Sequence, residues 1–395
     1  MLYLPSQTNH RITMKKPITI MLALLAIANA KANDGAFYAQ GNHLIPITET
    51  DISVKKEILC ITRVARPKDS YPRFSFTVNV YYEFYNPGAP KDLLVGFEAP
   101  GDGNENGNAY IHNFKVLMNG QSLPHEVARI FYPLKDDGYL DWGNMKGYYK
   151  NGHFVKPTKE QLDGLTDEDS PYYPWDADPF YFVYHFNAHF NKGLNIIQHT
   201  YDFEGSDLVY MDYLFDYVLT AANRWANNGI DDFTLELDMG ERTSFAIHRS
   251  FFNDANEWTF TGKGRVGQML EVDDLFCMSC PVFHVQSGKL VFHKKNFHPE
   301  GELSIISGSY CSDAIELVKA RYIDFNFNQM PAFSDEQEKR ILKNLPFAYR
   351  GYVFKDKGLQ RFFESTEWYM PNPDYQADMT KFDKGEKQWV QFWGK

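Results

Sequence analysis

The sequence has no apolar run long enough to cross a membrane, and it is poor in positive charge and in cysteine. Its main apolar stretch, residues 18–28, is shorter than the ~20 residues that a membrane-spanning helix needs. The 40 Lys and Arg are outnumbered by 51 Asp and Glu, which gives a formal net charge of −11 over 395 residues. Such an acidic surface repels phosphate backbones. The composition therefore argues against a membrane-spanning protein and against a nucleic-acid-binding one.

Motifs that mark common catalytic sites are also missing. No GxSxG nucleophile elbow occurs, and the GxGxxG letters at 262–267 stand among strand-like residues with no following helix. Asp102–Gly107 matches only the first half of a calcium loop, with Asn113 where a Glu is required. His185 and His189 are four residues apart but lack the Glu of a metalloprotease motif. We therefore predict no catalytic residue, no metal site and no cofactor.

Aromatic side chains are abundant, and charge is unevenly distributed. The chain holds 32 Phe, 25 Tyr and 7 Trp, far more than a disordered chain carries. Residues 33–330 carry a net charge of −16, residues 331–395 carry +1, and residues 1–32 hold four bases and no acids. These differences predict a folded chain with an acidic body, a nearly neutral C-terminal part and a basic N-terminal segment.

Residues 14–30 have the order of a secretory signal peptide. Lys15 and Lys16 come first, the apolar stretch 18–28 follows, and small residues end it at Ala30. We expect cleavage after Ala30 or Ala32 and a mature protein that is periplasmic or extracellular. Residues 1–13 are interpreted as an upstream extension, so Met1 and Met14 both remain open as the start. The alternative is a buried N-terminal helix.

Four cysteines follow this segment, and all are disulfide candidates in an oxidising compartment. They are Cys60, Cys277, Cys280 and Cys311. Three pairings are possible, and Cys277–Cys280 is the preferred one because the two residues are close in sequence. The CxxC spacing also allows half of a zinc site, with His284, His293 and His298 downstream, or a redox pair. The strand-like sequence around both cysteines favours a disulfide or buried thiols.

Period-two alternation dominates residues 35–310 and predicts an all-β body. In Phe74–Tyr85 the two faces of the strand alternate at every position. Asn119-Gly120 predicts a tight hairpin turn, and Ser287-Gly288 is predicted to form a similar turn between two strands. We predict an antiparallel β-sandwich over residues 33–330, built as one or two subdomains. Residues 134–190 are interpreted as an insertion with one short helix near 157–165.

The spacing of apolar residues becomes helical after residue 331. Ser334–Gln337 has the form of a capping box, and apolar residues then recur with helical spacing up to Gly351. Asp356 predicts the N-cap of a second helix, and a third is expected within residues 380–393. We therefore predict a small helical domain over residues 331–395. The fold class is mainly β with a small α C-terminal module.

The helical part contains a recognisable string. Residues 345–363 include Phe347-Ala348-Tyr349-Arg350-Gly351, and they are followed by Glu367-Trp368-Tyr369-Met370-Pro371. This pattern resembles the YARHG domain, a small extracytoplasmic bacterial module. Phe347, Tyr349 and Arg350 differ from the letters of the motif name. The resemblance implies a helical module in an exported protein, and it implies no reaction.

A looser resemblance covers most of residues 33–310. It rests on strings such as Gly41–Pro46, Tyr82–Pro87 and Phe297–Leu303. These strings are similar to a secreted bacterial β domain of unknown function. The resemblance supports the β interpretation and an exported location, and it implies no activity.

The remaining candidates for binding are aromatic and basic residues of the module. Trp368 and Tyr369 could form a flat stacking surface for an envelope polymer, with Arg350 and Tyr352 beside them, or they could form the core of the module. We predict an exported binding or scaffolding protein of the bacterial envelope, without catalytic activity, whose ligand is an envelope polymer or a protein. The alternatives are a hydrolase of envelope polysaccharide or peptide with its site near residues 134–190, and an exported metal-binding protein.

Overall fold

A computed structural model describes the fold of most of the chain. The described residues are 34–40, 43–47, 49–66, 74–100, 111–131, 146–147, 149–150, 153–154, 180–204, 206–208, 211–272, 278–308 and 336–394. Several predicted features lie outside them: the signal-like segment 14–30, the calcium-like loop at 102–107, the helix near 157–165, Cys277, Cys311 and Ser334.

The body of the protein consists of strands. In chain order the described strands are β1 (Asp34–Gln40), β2 (His43–Ile47), β3 (Ser53–Ala65), β4 (Phe74–Asn86), β5 (Lys91–Pro100), β6 (Ile111–Met118), β7 (Gln121–Ser122), β8 (Glu126–Phe131), β9 (Lys146–Gly147), β10 (Tyr149–Lys150), β11 (His153–Phe154), β12 (Phe180–Phe190), β13 (Gly193–Glu204), β14 (Ser206–Leu208), β15 (Met211–Tyr217), β16 (Ile230–Asp238), β17 (Thr243–Ile247), β18 (Trp258–Phe260), β19 (Gly264–Val272), β20 (Met278–Val285), β21 (Leu290–Phe297) and β22 (Leu303–Gly308). Short 3-10 turns occur at Thr220–Arg224 and Ala255–Glu257.

These strands form three large sheets and a small ladder of β10 and β11. Sheet I has the order β2-β1-β5-β12-β8-β9, sheet II the order β18-β21-β16-β3-β4-β13-β6-β7, and sheet III the order β14-β15-β22-β17-β20-β19. The described strand pairs are antiparallel except for β3 and β16, which pair in parallel. The predicted fold class, a β body with a helical C-terminal module, is confirmed.

Strand β4 shows why the chain forms sheets. Its side chains at Phe76, Val78 and Val80 are buried, whereas Thr77 and Asn79 face the opposite side. Since successive side chains of a strand point to opposite faces, this alternation gives sheet II one apolar face. The predicted strand is therefore confirmed, with its apolar side towards the core.

Sheets I and III both pack against that apolar face of sheet II. The Phe84 ring of β4 lies 5.5 Å from Phe190 of sheet I, and the Phe76 ring of the same strand lies 4.8 Å from Phe215 of sheet III. Phe76 and Phe84 are an even number of residues apart and so share one face. The body is thus a sandwich in which two sheets share the second layer over one continuous core.

The two turns predicted from sequence have different outcomes. Asn119 and Gly120 have φ values of 51° and 80°, and they join the paired strands β6 and β7, as predicted. Ser287-Gly288 does not close a hairpin, because β20 belongs to sheet III and β21 to sheet II. Both edges of β20 are already occupied by β17 and β19. The chain therefore has to leave sheet III at this turn.

Residues 180–190 lie at the end of the predicted insertion and belong to sheet I in the structure. They form β12, which pairs with β5 on one side and β8 on the other. The side chains of Phe186 and Phe190 are buried in the common core. Aromatic alternation thus makes this segment an inner strand of sheet I.

In the described part of the chain after the body there are three helices: α1 (Glu336–Ala348), α2 (Lys357–Glu364) and α3 (Lys384–Trp393). A 3-10 turn at Met379–Lys381 precedes α3. Asp356 caps α2 by accepting from the amides of Gly358 and Leu359, as predicted, and Asp383 forms a capping box at α3. These caps satisfy amides that have no partner within the helix.

The helical module has a core of its own. Its buried side chains form a cluster separate from that of the three sheets, and it includes Leu345, Phe363 and Trp389. Two separate clusters agree with a module that is attached to the body through its surface. In the part of the chain that the structure describes, no helix has the length and apolar character needed to cross a membrane.

Candidate functional site: the seam between the module and the β body

The proposed binding residues of the module face its interior. Trp368 and Tyr369 are buried, and Arg350 and Tyr352 are half-buried. The Trp368 ring stacks on Tyr349 with ring centroids 3.9 Å apart and planes inclined by 3°. The Tyr369 hydroxyl donates to the Tyr352 carbonyl at 2.8 Å. Since a stacking platform needs rings exposed to solvent, these contacts give the aromatic residues a structural role.

The Arg350 guanidinium makes three contacts inside the module. Its Nη2 donates to Glu386 at 2.8 Å, its Nη1 donates to the Pro346 carbonyl at 2.8 Å, and it lies 4.3 Å from the Phe382 ring centroid. The Arg350 and Glu386 side chains are only 11% and 7% exposed. A charge pair satisfied in this way ties α3 to the end of α1.

We expect Arg350→Lys to lower the free energy of unfolding of the module by about 1–2 kcal/mol. Lysine can keep the ion pair with Glu386, but its single ammonium cannot also reach the Pro346 carbonyl and stack on Phe382. Urea unfolding followed by Trp fluorescence measures the change. The control is Arg361→Lys at an exposed position of α2, and equal losses in both variants would contradict this role of Arg350.

One short segment of the module makes most of its described contacts with the body. We call this contact the seam: it consists of residues 366–371 of the module and the facing parts of β19 and β20, with the loops beside them. Most of its polar contacts are hydrogen bonds from side chains of the body to backbone carbonyls of the module: Lys263 to Met370 and Pro371, Arg265 to Thr366, and Gln286 to Met370 and Tyr349. Because the acceptors are backbone carbonyls, these contacts depend on the backbone conformation of the module and not on its side chains.

Gly351 lies at a close approach between the module and the body. Its φ of 79° is in the left-handed region, which glycine adopts without strain. A Cβ at this position would clash with the Met370 carbonyl and lie 2.8 Å from Nε2 of Gln286. The glycine that ends the family string is therefore required both by the helix C-terminus and by the seam.

A buried histidine lies at the centre of the seam. Nδ1 of His284 is 2.7 Å from the Ser244 hydroxyl on the neighbouring strand β17. Its Nε2 is 3.7 Å from the Glu367 carboxylate of the module, which is beyond hydrogen-bond distance. The other Glu367 contact is with the Gln268 amide of β19, which donates to Oε2 at 3.1 Å. Glu367 thus reaches both the edge strand and the histidine.

Burial lowers the pKa of His284 to about 4. The ring is 2% exposed, so desolvation of the imidazolium is the largest cause. The Glu367 carboxylate raises this pKa and the Arg265 guanidinium lowers it. The histidine is therefore neutral at neutral pH, and its charged form is disfavoured while the seam is closed.

The described cysteines are in different sheets. Cys60, a disulfide candidate, is a half-buried free thiol on β3, and burial followed by the nearby Glu236 carboxylate raises its pKa. Cys280 is buried on β20 in sheet III. The preferred Cys277–Cys280 pair and the candidate Cys311 stay predictions, because Cys277 and Cys311 lie outside the described residues.

The histidines of the zinc alternative do not converge. His284 is at the seam in sheet III, whereas His293 is on β21 in sheet II, 2.8 Å from Asp232. His298 Nδ1 is 2.6 Å from the Asn228 carbonyl. Among the residues that the structure describes, no group of three or more His, Cys, Asp or Glu could hold a metal ion.

His185 and His189 both lie on β12. Four residues of a strand span roughly 13 Å, which is too far for two side chains to share one ion. His189 instead has its Nδ1 2.7 Å from Asp92, and the pKa of His185 is lowered by burial, against the charge of Glu126. The two histidines therefore have separate environments.

Sequence reasoning missed the residues that build the seam. Lys263, Arg265 and Gln286 carry no motif, and His284 was considered only as a zinc ligand. One signal was available: the glycines at 262, 264 and 267 mark a stretch where other groups approach the backbone closely. A Cβ at Gly267 would lie 2.5 Å from Nε2 of His284. The sequence shows these glycines, but only the fold shows which groups lie against them.

Two solved structures are similar to this chain over much of its length. One is a crystal structure of a candidate nutrient binding protein from Legionella pneumophila, with 18% identity, a TM-score of 0.46, and coverage of 92% of this chain and 99% of the other. The second is yeast LTA4 hydrolase in complex with bestatin, with 10% identity, a TM-score of 0.24, and coverage of 77% and 36%. Both TM-scores are too low to define a common fold. No curated protein matches the chain.

A family model identifies the C-terminal part. The model of the YARHG domain matches residues 321–393. This range contains α1, α2 and α3, as well as Gly351 and the seam segment 366–371. The resemblance read from the sequence is confirmed, and residues 321–393 of this protein are a YARHG domain.

Proposed function

We propose that this protein is an exported binding or scaffolding protein of the bacterial envelope and that it has no catalytic activity. The signal-like order of residues 14–30 supports export. The YARHG domain supports it too, since the resemblance implies an extracytoplasmic module. The acidic body, which is large enough to present a binding surface, is the part to which we assign the ligand.

The observation that carries the proposal is that the signature residues of the module make structural contacts. Trp368 stacks on Tyr349, Arg350 pairs with Glu386, and Gly351 closes against the seam. Residues of a catalytic site must contact substrate, whereas these contact one another or the body. The signature residues thus hold the module together and attach it to the body, which suits a scaffold.

A hydrolase whose site differs from the one predicted near residues 134–190 is favoured by one grouping, Ser244, His284 and Glu367. A hydroxyl, an imidazole and a carboxylate follow one another there, as in a nucleophile–base–orienting-acid series. The ring is 2% exposed, however, and the backbone of Gly267 lies against its Nε2. A substrate carbonyl has no path to a base buried in this way, so binding remains the preferred function.

One experiment separates the two functions. Purified mature protein is incubated with peptidoglycan sacculi, and both the protein that sediments with them and the soluble fragments released over time are measured. We expect saturable sedimentation and no release of fragments. Release of fragments that Ser244→Ala abolishes would replace the proposal by the hydrolase, and absence of sedimentation would exclude this polymer as the ligand.

A further inference from the structure

We infer that acidification opens the seam between the YARHG domain and the β body, with His284 as the group that takes up the proton. The inference concerns how the two parts are held together and does not depend on the ligand proposed above. It rests on the position of His284 at the contact between two separate cores.

The geometry of the closed seam leaves one nitrogen of the ring unsatisfied. Nδ1 is occupied by the Ser244 hydroxyl at 2.7 Å, and Nε2 is buried without a hydrogen-bond partner among the described residues. The Glu367 carboxylate of the module is the nearest acid, but it stays 3.7 Å away and accepts from the Gln268 amide. In the closed seam a proton on Nε2 therefore faces only the Glu367 carboxylate, 3.7 Å away, and has little access to water.

Three elements supply the polar groups around the ring, and two of these groups are charged. Strand β17 supplies the neutral hydroxyl of Ser244, strand β19 supplies the cationic Arg265, and the module supplies the anionic Glu367. Arg265 and Glu367 act in opposite directions on an imidazolium, so burial decides the balance. Opening the seam removes Glu367 from the ring and admits water, which solvates the charged form.

The sign of the pH dependence follows. In the closed seam the pKa of His284 is about 4, whereas an exposed histidine has a pKa near 6.5. Because the closed seam holds His284 in its neutral form, the seam is most stable above pH 6.5. Its stability is lost as the pH falls from 6.5 towards 4, since the open state then takes up a proton. With these two pKa values, the equilibrium constant for closing the seam falls about 30-fold between pH 7.5 and pH 5.

Hydrogen exchange of the full-length protein tests the inference. The Gln268 amide donates to Glu367 across the seam, so its protection, corrected for the intrinsic effect of pH, reports seam opening directly. We expect protection of Gln268 to fall about 30-fold from pH 7.5 to pH 5. Amides of β4 and α1 should keep their protection, which distinguishes opening of the seam from unfolding of either part.

Two variants at histidine make the test specific. His284→Asn keeps an acceptor near the Ser244 hydroxyl and cannot be protonated, so Gln268 protection should become independent of pH; His284→Gln is the second choice if that variant does not fold. His293→Asn removes an exposed histidine of sheet II, and the pH dependence should remain. Unchanged protection of Gln268 in the wild type, or an equal loss in wild type and His284→Asn, would overturn the inference.

Discussion

Trp389→Ala is expected to unfold the helical module while the β body remains folded. Trp389 is fully buried on α3, and its Nε1 donates to the Leu342 carbonyl of α1 at 2.6 Å. Truncation of a buried Trp costs about 3–5 kcal/mol through lost burial and the cavity left behind. A module of this size has a small core and little stability to lose.

The expected result can be measured in the full-length protein. Hydrogen exchange should show loss of protection throughout α1–α3 and retained protection in β4 and β13, because the two cores are separate clusters. The matched control is Phe392→Ala on the same helix, where the side chain is 50% exposed and the cost should be about 1 kcal/mol or less. If the body also loses protection in Trp389→Ala, the two clusters unfold as one unit.

Gly351→Ala is expected to destabilise the module and to open the seam. At a φ of 79° a side chain costs about 1–2 kcal/mol. The new Cβ would also clash with the Met370 carbonyl and crowd Nε2 of Gln286, and overpacking of this kind adds about 1–3 kcal/mol. Urea unfolding gives the change in stability, and protection of the Gln268 amide reports the seam.

Gly120→Ala provides a control with the same backbone strain. Gly120 has a φ of 80°, but a Cβ there would meet no atom within 4 Å. Its cost should therefore be limited to about 1–2 kcal/mol of conformational strain, and the seam should stay closed. Equal costs at the two positions would show that close approach at the seam contributes nothing to the requirement for Gly351.

Much of the local structure was predictable from the sequence. The alternation of Phe74–Tyr85 predicted a strand, Asn119-Gly120 predicted the hairpin turn between β6 and β7, and Asp356 predicted the start of a helix. The string around Gly351 also predicted the YARHG domain. Each of these signals depends on residues within a few positions of one another, where propensity and capping act.

The partners of these elements were not predictable in the same way. The alternation that identifies β20 and β21 as strands does not say that they belong to different sheets, because a buried face is the same whichever sheet covers it. For this reason the sequence predicts a hairpin turn at Ser287-Gly288, where the chain instead passes from sheet III to sheet II. The error concerns pairing between segments that are distant in the chain.

The sequence by itself thus determined the class of the protein: a β body, a helical YARHG domain and the expectation of export. Only the tertiary structure decided that Arg350 and Trp368 serve the interior of the module and that His284 meets Glu367 at a seam. His284 and Glu367 are far apart in the chain, and neither belongs to a motif that requires the other. Their meeting depends on how two separate cores pack together, which is a property of surface shape and burial that residue spacing does not encode.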